Sequence, residues 1–286
     1  MPAKVVLPMH PGCVAIAGNR FHCYNNHEFD FLTIRRKSKM RTEKDLVYEL
    51  ETEVSDLNEN NFLKPYGYQE LFARLVEPHL VKISADLETT MKSNLAWALV
   101  SLSIGIVNPV KGCMKLFGNT WHSEHRGPFF RRDFVMKSEA DEVMFQGASY
   151  SVLLDLEKRS IYREKDLPFH HLPSLNEFVL DTSPTNKVRK TDLEFCKVDE
   201  RKVYNSFIDC LGHVNNCRYG EFAYDAFTDE ERDALGELKR MDIYFHSELK
   251  SKDVFSIRKP YEDKVLYIQG YNDTKSETAF EYILTF

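Results

Sequence analysis

The sequence lacks a long apolar run. Even the apolar stretch from Ala96 to Val107 is short and interrupted by serines, whereas a membrane-spanning helix needs about 20 predominantly apolar residues. The segment from Met1 to Pro8 also has no sustained apolar region followed by a small-residue cleavage site, as a secretory signal would have. We therefore expect neither a membrane span nor a signal peptide.

Cysteine is scarce and irregularly spaced, with six residues in a chain of 286. A chain of this length can be stable without disulfides, so scattered cysteines favour reduced thiols and a cytoplasmic protein. Near the N-terminus the spacing of the possible ligands matches no standard zinc finger, and we expect no metal and no other cofactor. Those residues are His10, Cys13, His22, Cys23 and His27.

An excess of positive charge is absent as well, because the formal net charge is −6. This charge argues against a general nucleic-acid-binding protein. Basic residues do cluster between Arg35 and Lys44, either as a solvated linker or as a docking patch for an acidic partner. What the chain does have is apolar residues, 43% of the total, enough for one large core or two modest ones.

Two amphipathic segments repeat at a constant offset of 151 positions. The first has apolar residues at i, i+3, i+4, i+7 and i+8, which line one face of a helix. These are Tyr68, Leu71, Phe72, Leu75 and Val76. The same positions in the second segment are Tyr219, Phe222, Ala223, Ala226 and Phe227. Chance periodicity is the alternative to a true internal repeat.

A strand is predicted before each helix, from Tyr48 to Val54 and, less cleanly, near Val203 to Ile208. Strand-like runs follow each helix, at Phe129 to Met136, Val143 to Leu154, Val265 to Gln269 and Thr278 to Phe286. One long helix against an antiparallel sheet in each half is an α+β architecture. The proline-containing segment from Glu164 to Lys190 reads as the linker between the halves.

The segment from Asp209 to Tyr219, directly before the second helix, concentrates chemically useful side chains. Asp209 and His213 lie four residues apart on a predicted turn and can point at one spot. The first amides of the following helix can donate to a developing oxyanion. These features suit acyl transfer to water, although aspartate and asparagine before a helix also serve as caps and turn formers.

The string from His213 to Asn216, with Tyr219 after it and Asp209 before it, resembles the second-domain signature of the acyl-ACP thioesterases of plants and bacteria. Three further segments resemble strands of that family, at Arg131 to Phe134, Val152 to Glu157 and Tyr244 to Val254. The resemblance runs from about Leu46 to Phe286 and leaves the first 45 residues outside it.

The resemblance implies an α+β fold of two fused hotdog domains, each with a long helix packed against an antiparallel sheet. It divides the chain into an N-terminal extension (1–45), an N-terminal hotdog domain (46–165), a linker (166–190) and a C-terminal hotdog domain (191–286). The C-terminal domain would carry the catalytic residues.

The resemblance also implies an enzyme that hydrolyses fatty acyl-ACP to free fatty acid and ACP and so terminates fatty acid synthesis. Matched by position, the catalytic residues are Asp209, His213 and Glu248, and Asn215 and Asn216 would bind substrate. A family asparagine is Leu211 here. A family cysteine once assigned as nucleophile is Leu249, which excludes covalent catalysis from that position.

The corresponding positions in the first half are Asn58, Asn60 and Phe62, which offer neither a general base nor an imidazole. We therefore expect the first half to contribute the acyl pocket. Trp97 and Trp121 are candidates to line it, with ordinary core packing as the alternative. Among other side chains, we interpret Cys210 and Cys217 as packing residues and His170–His171 as a surface pair.

The implied partner is acyl carrier protein, which is acidic and would need a basic rim on this chain. Candidates are Arg35 to Lys44, Arg131–Arg132, and Lys187, Arg189 and Lys190. Three alternatives stay open: a non-catalytic acyl-binding hotdog protein, an acyl-CoA thioesterase and a hotdog dehydratase. A homodimer of fused domains also stays open.

Overall fold

A computed structural model describes residues 42–164, 166–169, 173–186, 193–261 and 265–286. Within these residues, four α-helices have the bounds α1 Pro65–Lys82, α2 Leu87–Met91, α3 Asn216–Tyr224 and α4 Asp229–Asp233. The strands of the first half are β1 Tyr48–Glu51, β2 Leu95–Ile106, β3 Lys115–Arg126, β4 Phe129–Ser138, β5 Val143–Asp155 and β6 Ser160–Ile161. Those of the second half are β7 Phe195–Lys202, β8 Arg240–Phe245, β9 Val254–Pro260, β10 Leu266–Asn272 and β11 Glu277–Thr285.

These strands form one antiparallel sheet in the order β1-β3-β4-β5-β2-β8-β11-β10-β9-β7. Strand β6 is not part of this order and pairs with β5. Read inward from either edge of the sheet, each half has its strands in the same order: β1-β3-β4-β5-β2 in the first half corresponds to β7-β9-β10-β11-β8 in the second. The two halves join where β2 pairs with β8, with Leu102 opposite Ile243. The predicted repeat is therefore a structural repeat, and the two halves share one sheet.

The helices cover one face of this sheet. On α1 the residues Tyr68, Leu71, Phe72 and Leu75 are buried, and Phe72 packs on Phe134 of β4. Pro65 occupies the first helical turn, where a missing amide hydrogen costs nothing. On β11 the alternating residues Phe280, Tyr282 and Leu284 are fully buried, as the sequence pattern predicts.

The helices α1 and α3 pack against each other at Gly220. A Cβ atom at this position would lie 2.7 Å from the Cβ atom of Tyr66 and 2.7 Å from the hydroxyl of Tyr282. Nearby, the buried Gln69 of α1 donates to the Asn216 carbonyl at 2.8 Å and also bonds the Tyr282 hydroxyl. A polar side chain on the apolar face of α1 thus links both halves.

Three details differ from the sequence prediction. Strand β1 ends at Glu51, short of the predicted Val54, which begins a 3-10 helix. The strand before the second helix is β7, which ends at Lys202, and the region predicted as strand holds a short 3-10 helix at Asn205–Phe207. Helix α3 ends at Tyr224, so Ala226 and Phe227 lie beyond it. Phe227 is still buried in the same core, which is why the apolar pattern continues past the end of the helix.

Part of the predicted linker, residues 173–186, crosses the sheet on the face opposite the helices, and we name it the strap. It has no helix or strand of its own. Side chains from six neighbouring strands of the sheet, β3, β4, β5, β2, β8 and β11, bond to it. The bonding side chains are Trp121, Arg131, Asp133, Gln146, Ser101, Ser103, Arg240 and Glu281.

Candidate functional site

A tight loop before α3 holds the first two candidate residues. Ile208 and Val214 form a β-bridge, the Asp209 amide donates to the His213 carbonyl at 3.0 Å, and the Gly212 amide donates to the Asp209 carbonyl at 3.1 Å. Gly212 has a φ of 84°, a left-handed conformation that glycine adopts without a steric penalty. The loop therefore turns back on itself and brings the side chains of Asp209 and His213 together.

The third candidate, Glu248, reaches the same place from the segment after β8. The backbones of His213 and Lys250 form an antiparallel β-bridge, and the Val214 amide donates to the Leu249 carbonyl at 2.9 Å. The Leu249 amide donates to the hydroxyl of the buried Tyr219 at 3.1 Å. Because β8 ends at Phe245, Glu248 lies on a loop and not on the strand that the family resemblance implies.

The imidazole of His213 lies between the two carboxylates. Its Nδ1 is 3.9 Å from Oδ1 of Asp209, and its Nε2 is 3.7 Å from Oε1 of Glu248. Both separations exceed a direct hydrogen bond, as catalytic contacts often do before substrate binds. Side-chain exposure is 25% for His213, 22% for Asp209 and 49% for Glu248, so water can reach the cluster.

Asn215 is the N-cap of α3 and also contacts the cluster. Its Oδ1 accepts from the Cys217 amide at 3.0 Å, and its Nδ2 lies 3.4 Å from Oδ2 of Asp209. The other carboxylate oxygen of Asp209 accepts from the Leu211 amide at 2.9 Å. Leu211 thus contributes its backbone to the site, while its side chain is exposed.

The amide of Asn216 is an available donor at the start of α3. The Cys217 and Arg218 amides are bonded to Asn215, whereas the Asn216 amide has no hydrogen-bond acceptor in the part of the chain that the structure describes. An unpaired amide at a helix N-terminus can stabilise negative charge.

Sequence reasoning missed Gln69, which donates to the Asn216 carbonyl. The available signal was that Gln69 is a polar residue on an otherwise apolar helix face.

The first half contains the same backbone arrangement with different side chains. Leu57 bridges to Leu63, and the Val110 amide donates to the Tyr68 hydroxyl at 3.3 Å, as Leu249 does to Tyr219. There, Oδ1 of Asn58 accepts from the amides of Asn60 and Phe62. Phe62 stands where His213 does, and Pro109 where Glu248 does, so this copy has no acid–base groups.

The two cysteines near the site were both predicted to pack in a core, and the structure contradicts this for Cys210. Cys210 is exposed, so it does not pack in a core. Burial, together with the nearby Glu70, Glu77 and Glu221 carboxylates, raises the pKa of the Cys217 thiol to about 12. A thiol with this pKa stays protonated at neutral pH and is a poor nucleophile.

A cavity of about 230 Å³ lies between α1 and the first-half sheet and reaches Asn216. Its apolar wall is formed by Phe72, Val76, Leu80, Trp97, Leu99 and Phe130, and Phe169 closes against Trp97. Trp121 lies elsewhere, under the strap, where its Nε1 donates to the Glu177 carbonyl at 2.9 Å. Since Asn216 is next to Asn215, the cavity begins beside the candidate cluster.

Of the basic residues named from the sequence, the structure describes Lys44, Arg131 and Arg132, and each pairs with a carboxylate. Arg131 is buried against Asp133, with Nε at 2.7 Å from Oδ2, and Arg132 pairs with Glu43 at 2.8 Å. Neither is free to form a rim. Most of the Arg35 to Lys44 segment, Lys187, Arg189, Lys190, His170–His171 and the five N-terminal His and Cys residues lie outside the described residues. Lys250, which sequence reasoning missed, pairs with Glu248 at 3.2 Å.

Solved structures share this architecture. An acyl-ACP thioesterase from Bacteroides thetaiotaomicron superimposes with a TM-score of 0.68 at 17% identity, over 85% of this chain and 98% of that one. The 12:0-ACP thioesterase from Umbellularia californica gives a TM-score of 0.61 at 12% identity, over 83% of this chain and 96% of that one. No family model matches the sequence, and no curated protein matches it by sequence.

This likeness establishes the class of fold. The chain is an α+β protein of two fused hotdog domains, as predicted. The limits of the two domains stay predictions. No helix of the described residues has the length and apolar character needed to cross a lipid bilayer.

Proposed function

We propose that the protein is a thioesterase that hydrolyses fatty acyl-ACP to free fatty acid and ACP. The observation that carries this proposal is the placement of His213 between Asp209 and Glu248 beside the unpaired Asn216 amide, at one end of a mainly apolar cavity. A base, an oxyanion donor and an acyl site are what thioester hydrolysis requires. The similarity in fold to two acyl-ACP thioesterases is consistent with it.

In the proposed mechanism the thioester carbonyl oxygen lies at the start of α3 and accepts a hydrogen bond from the Asn216 amide. Glu248 removes a proton from a water molecule, and the water oxygen attacks the carbonyl carbon. His213 and Asp209 orient the water and Glu248; the reverse assignment of the two carboxylates is the alternative. The carbon–sulfur bond then breaks, and the proton held by the base passes to the departing thiolate, giving a carboxylic acid and a free thiol.

The carrier and the compartment belong to the proposal too. The acyl carrier protein is the proposed partner because the two structures similar in fold are described as thioesterases of acyl-ACP. We propose a cytoplasmic location on the basis of the cysteines, since the four that the structure describes are free thiols. Salt should weaken carrier binding if docking is electrostatic.

The test is thiol release from acyl-ACP and acyl-CoA substrates of graded chain length. Asp209→Ala, His213→Ala and Glu248→Ala should each lower kcat/KM by at least about 100-fold. Glu200→Ala is a matched control, because Glu200 is an exposed partner of Lys197 on β7. Near-normal turnover in all three variants would refute the site.

The same assay distinguishes the other candidate functions. Release from acyl-CoA alone would identify the carrier as coenzyme A. Acyl binding without any thiol release would favour a non-catalytic binding protein, an alternative motivated by Leu211 at the place of the family asparagine.

A further inference from the structure

One wall of the cavity is polar. Ser149 and Ser151 of β5 and His122 of β3 line it opposite α1. Ser149 and His122 both lie directly opposite Arg132 of β4 in the paired strands, and Ser151 lies opposite Phe130. Because residues paired across antiparallel strands share a face of the sheet, these three polar side chains form one patch, which we name the polar patch.

The charged groups next to the polar patch are already paired. Arg132 donates to Oε2 of Glu43 at 2.8 Å, and Nε2 of His79 lies 2.9 Å from the same oxygen. Within the described part of the chain, by contrast, the hydroxyls of Ser149 and Ser151 have no hydrogen-bond partner and are not closed off as buried unpaired atoms, so both stay accessible from the cavity. The patch therefore retains unused bonding capacity that faces the cavity.

His122 adds a hydrogen-bond acceptor. Its Nδ1 lies 3.1 Å from the Arg131 carbonyl oxygen. A carbonyl oxygen only accepts, so Nδ1 carries the proton and Nε2 has a free lone pair. Burial and the nearby Arg132 charge lower the pKa of His122 to about 4, so the ring is neutral at physiological pH and keeps this tautomer.

An unsubstituted alkyl chain fits such a wall poorly. It would displace water and leave the polar groups unpaired, and each unpaired buried group costs roughly 1–3 kcal/mol. A site built to bond a substrate hydroxyl discriminates strongly against the analogue that lacks it. For size, a cavity of roughly 150 Å³ holds benzene, so the 230 Å³ here has room for several carbons of an acyl chain together with a hydroxyl group.

We propose that the acyl chain of the substrate carries a hydroxyl group, which bonds to the polar patch of Ser149, Ser151 and His122. This inference rests on the proposed function and narrows its substrates to hydroxyacyl thioesters. The hydroxyl donates to Nε2 of His122 and accepts from a serine hydroxyl. The three residues determine specificity and take no part in the bond-breaking step.

The experiment compares kcat/KM for pairs of acyl thioesters on one carrier, matched in length, with and without a hydroxyl at successive chain positions. We expect a preference of about 10- to 100-fold for the hydroxylated substrate at one position. Ser149→Ala and Ser151→Ala should each reduce that preference several-fold, because the hydroxylated chain loses a hydrogen bond and the unsubstituted chain no longer leaves that serine unpaired. Equal or faster hydrolysis of the unsubstituted chain at every position would overturn the inference.

Controls separate this inference from the proposed function. Ser138→Ala changes a serine of β4 that does not line the cavity and should leave the preference intact. If no thioester is hydrolysed, the proposed function fails, and calorimetric binding of matched hydroxylated and unsubstituted fatty acids then decides the inference. Tighter binding of the hydroxy acid, lost in Ser149→Ala, supports it; equal binding refutes it.

Discussion

At the scale of single residues, Asn215 has two roles that the structure allows to be separated. It caps α3 through the Cys217 amide and contacts Asp209 through its side-chain nitrogen. A sequence that places asparagine before a helix predicts the first role. The second depends on the turn at Gly212, which brings Asp209 within reach.

Replacing Asn215 tests this dual role. Asn215→Ala should destabilise the fold by about 1 kcal/mol through loss of the cap and should also lower kcat/KM about 10-fold by releasing Asp209. Thr228→Ala is the matched control, because Thr228 caps α4 through the Glu231 amide, which is not part of the candidate site. Urea unfolding should show a similar loss of stability in both variants, and thiol release should be reduced only in Asn215→Ala. Equal activities in the two variants would show that Asn215 acts only as a helix cap.

At the scale of secondary-structure elements, the strap depends on a buried ion pair. Asp133 is fully buried and accepts from Arg131, from the Ser123 hydroxyl and from the Val179 amide of the strap. Arg131 in turn donates to the Leu180 carbonyl at 2.6 Å. The pair therefore holds β3, β4 and the strap together.

Breaking this pair should be costly. Asp133→Ala leaves the Arg131 charge buried without a counter-charge, a change that typically destabilises by about 3–5 kcal/mol. Asp141→Ala is the control, since Asp141 pairs with Lys137 at the surface and should change stability by less than about 1 kcal/mol. Urea denaturation measures both; a loss for Asp133→Ala as small as that of the control would show that the strap does not depend on the pair.

At the scale of the whole molecule, buried titratable groups predict loss of stability in acid. Burial alone would raise the pKa of Glu43, but the hydrogen bond from His79 and the charge of Arg132 lower it to about 2. A carboxyl with a lowered pKa in the folded state stabilises the fold above its unfolded pKa of 4.5. That stability is lost as the pH falls from about 4.5 to 2. Burial also lowers the pKa of His79, so protonation of this histidine destabilises the fold in the same direction.

The prediction is that Glu43→Gln removes about 3 kcal/mol at pH 7 and flattens the decline in unfolding free energy between about pH 4.5 and 2. The exposed Glu49, paired with Lys115, supplies the control variant Glu49→Gln, which should keep the wild-type acid profile. Unfolding free energies measured by urea across this pH range test it, and an unchanged slope in Glu43→Gln would contradict it.

By itself the sequence predicted an α+β fold with an internal repeat, and its resemblance to a known family named Asp209, His213 and Glu248 as the candidate acid–base residues. The repeat of apolar positions specifies two similar units because each must bury one helix face, and the segment from Asp209 to Asn216 places the chemistry before a helix. Local pattern did not determine where strands yield to short turns, as at Asn205–Phe207, or that Arg131 and Arg132 would be paired with Asp133 and Glu43.

Only the tertiary structure decided how distant segments meet. The approach of Glu248 to His213, the contact of Gln69 with Asn216 and the cavity with its polar patch all join residues far apart in the chain. Strand register and helix crossing determine such contacts through packing of the whole core, and no local spacing encodes them.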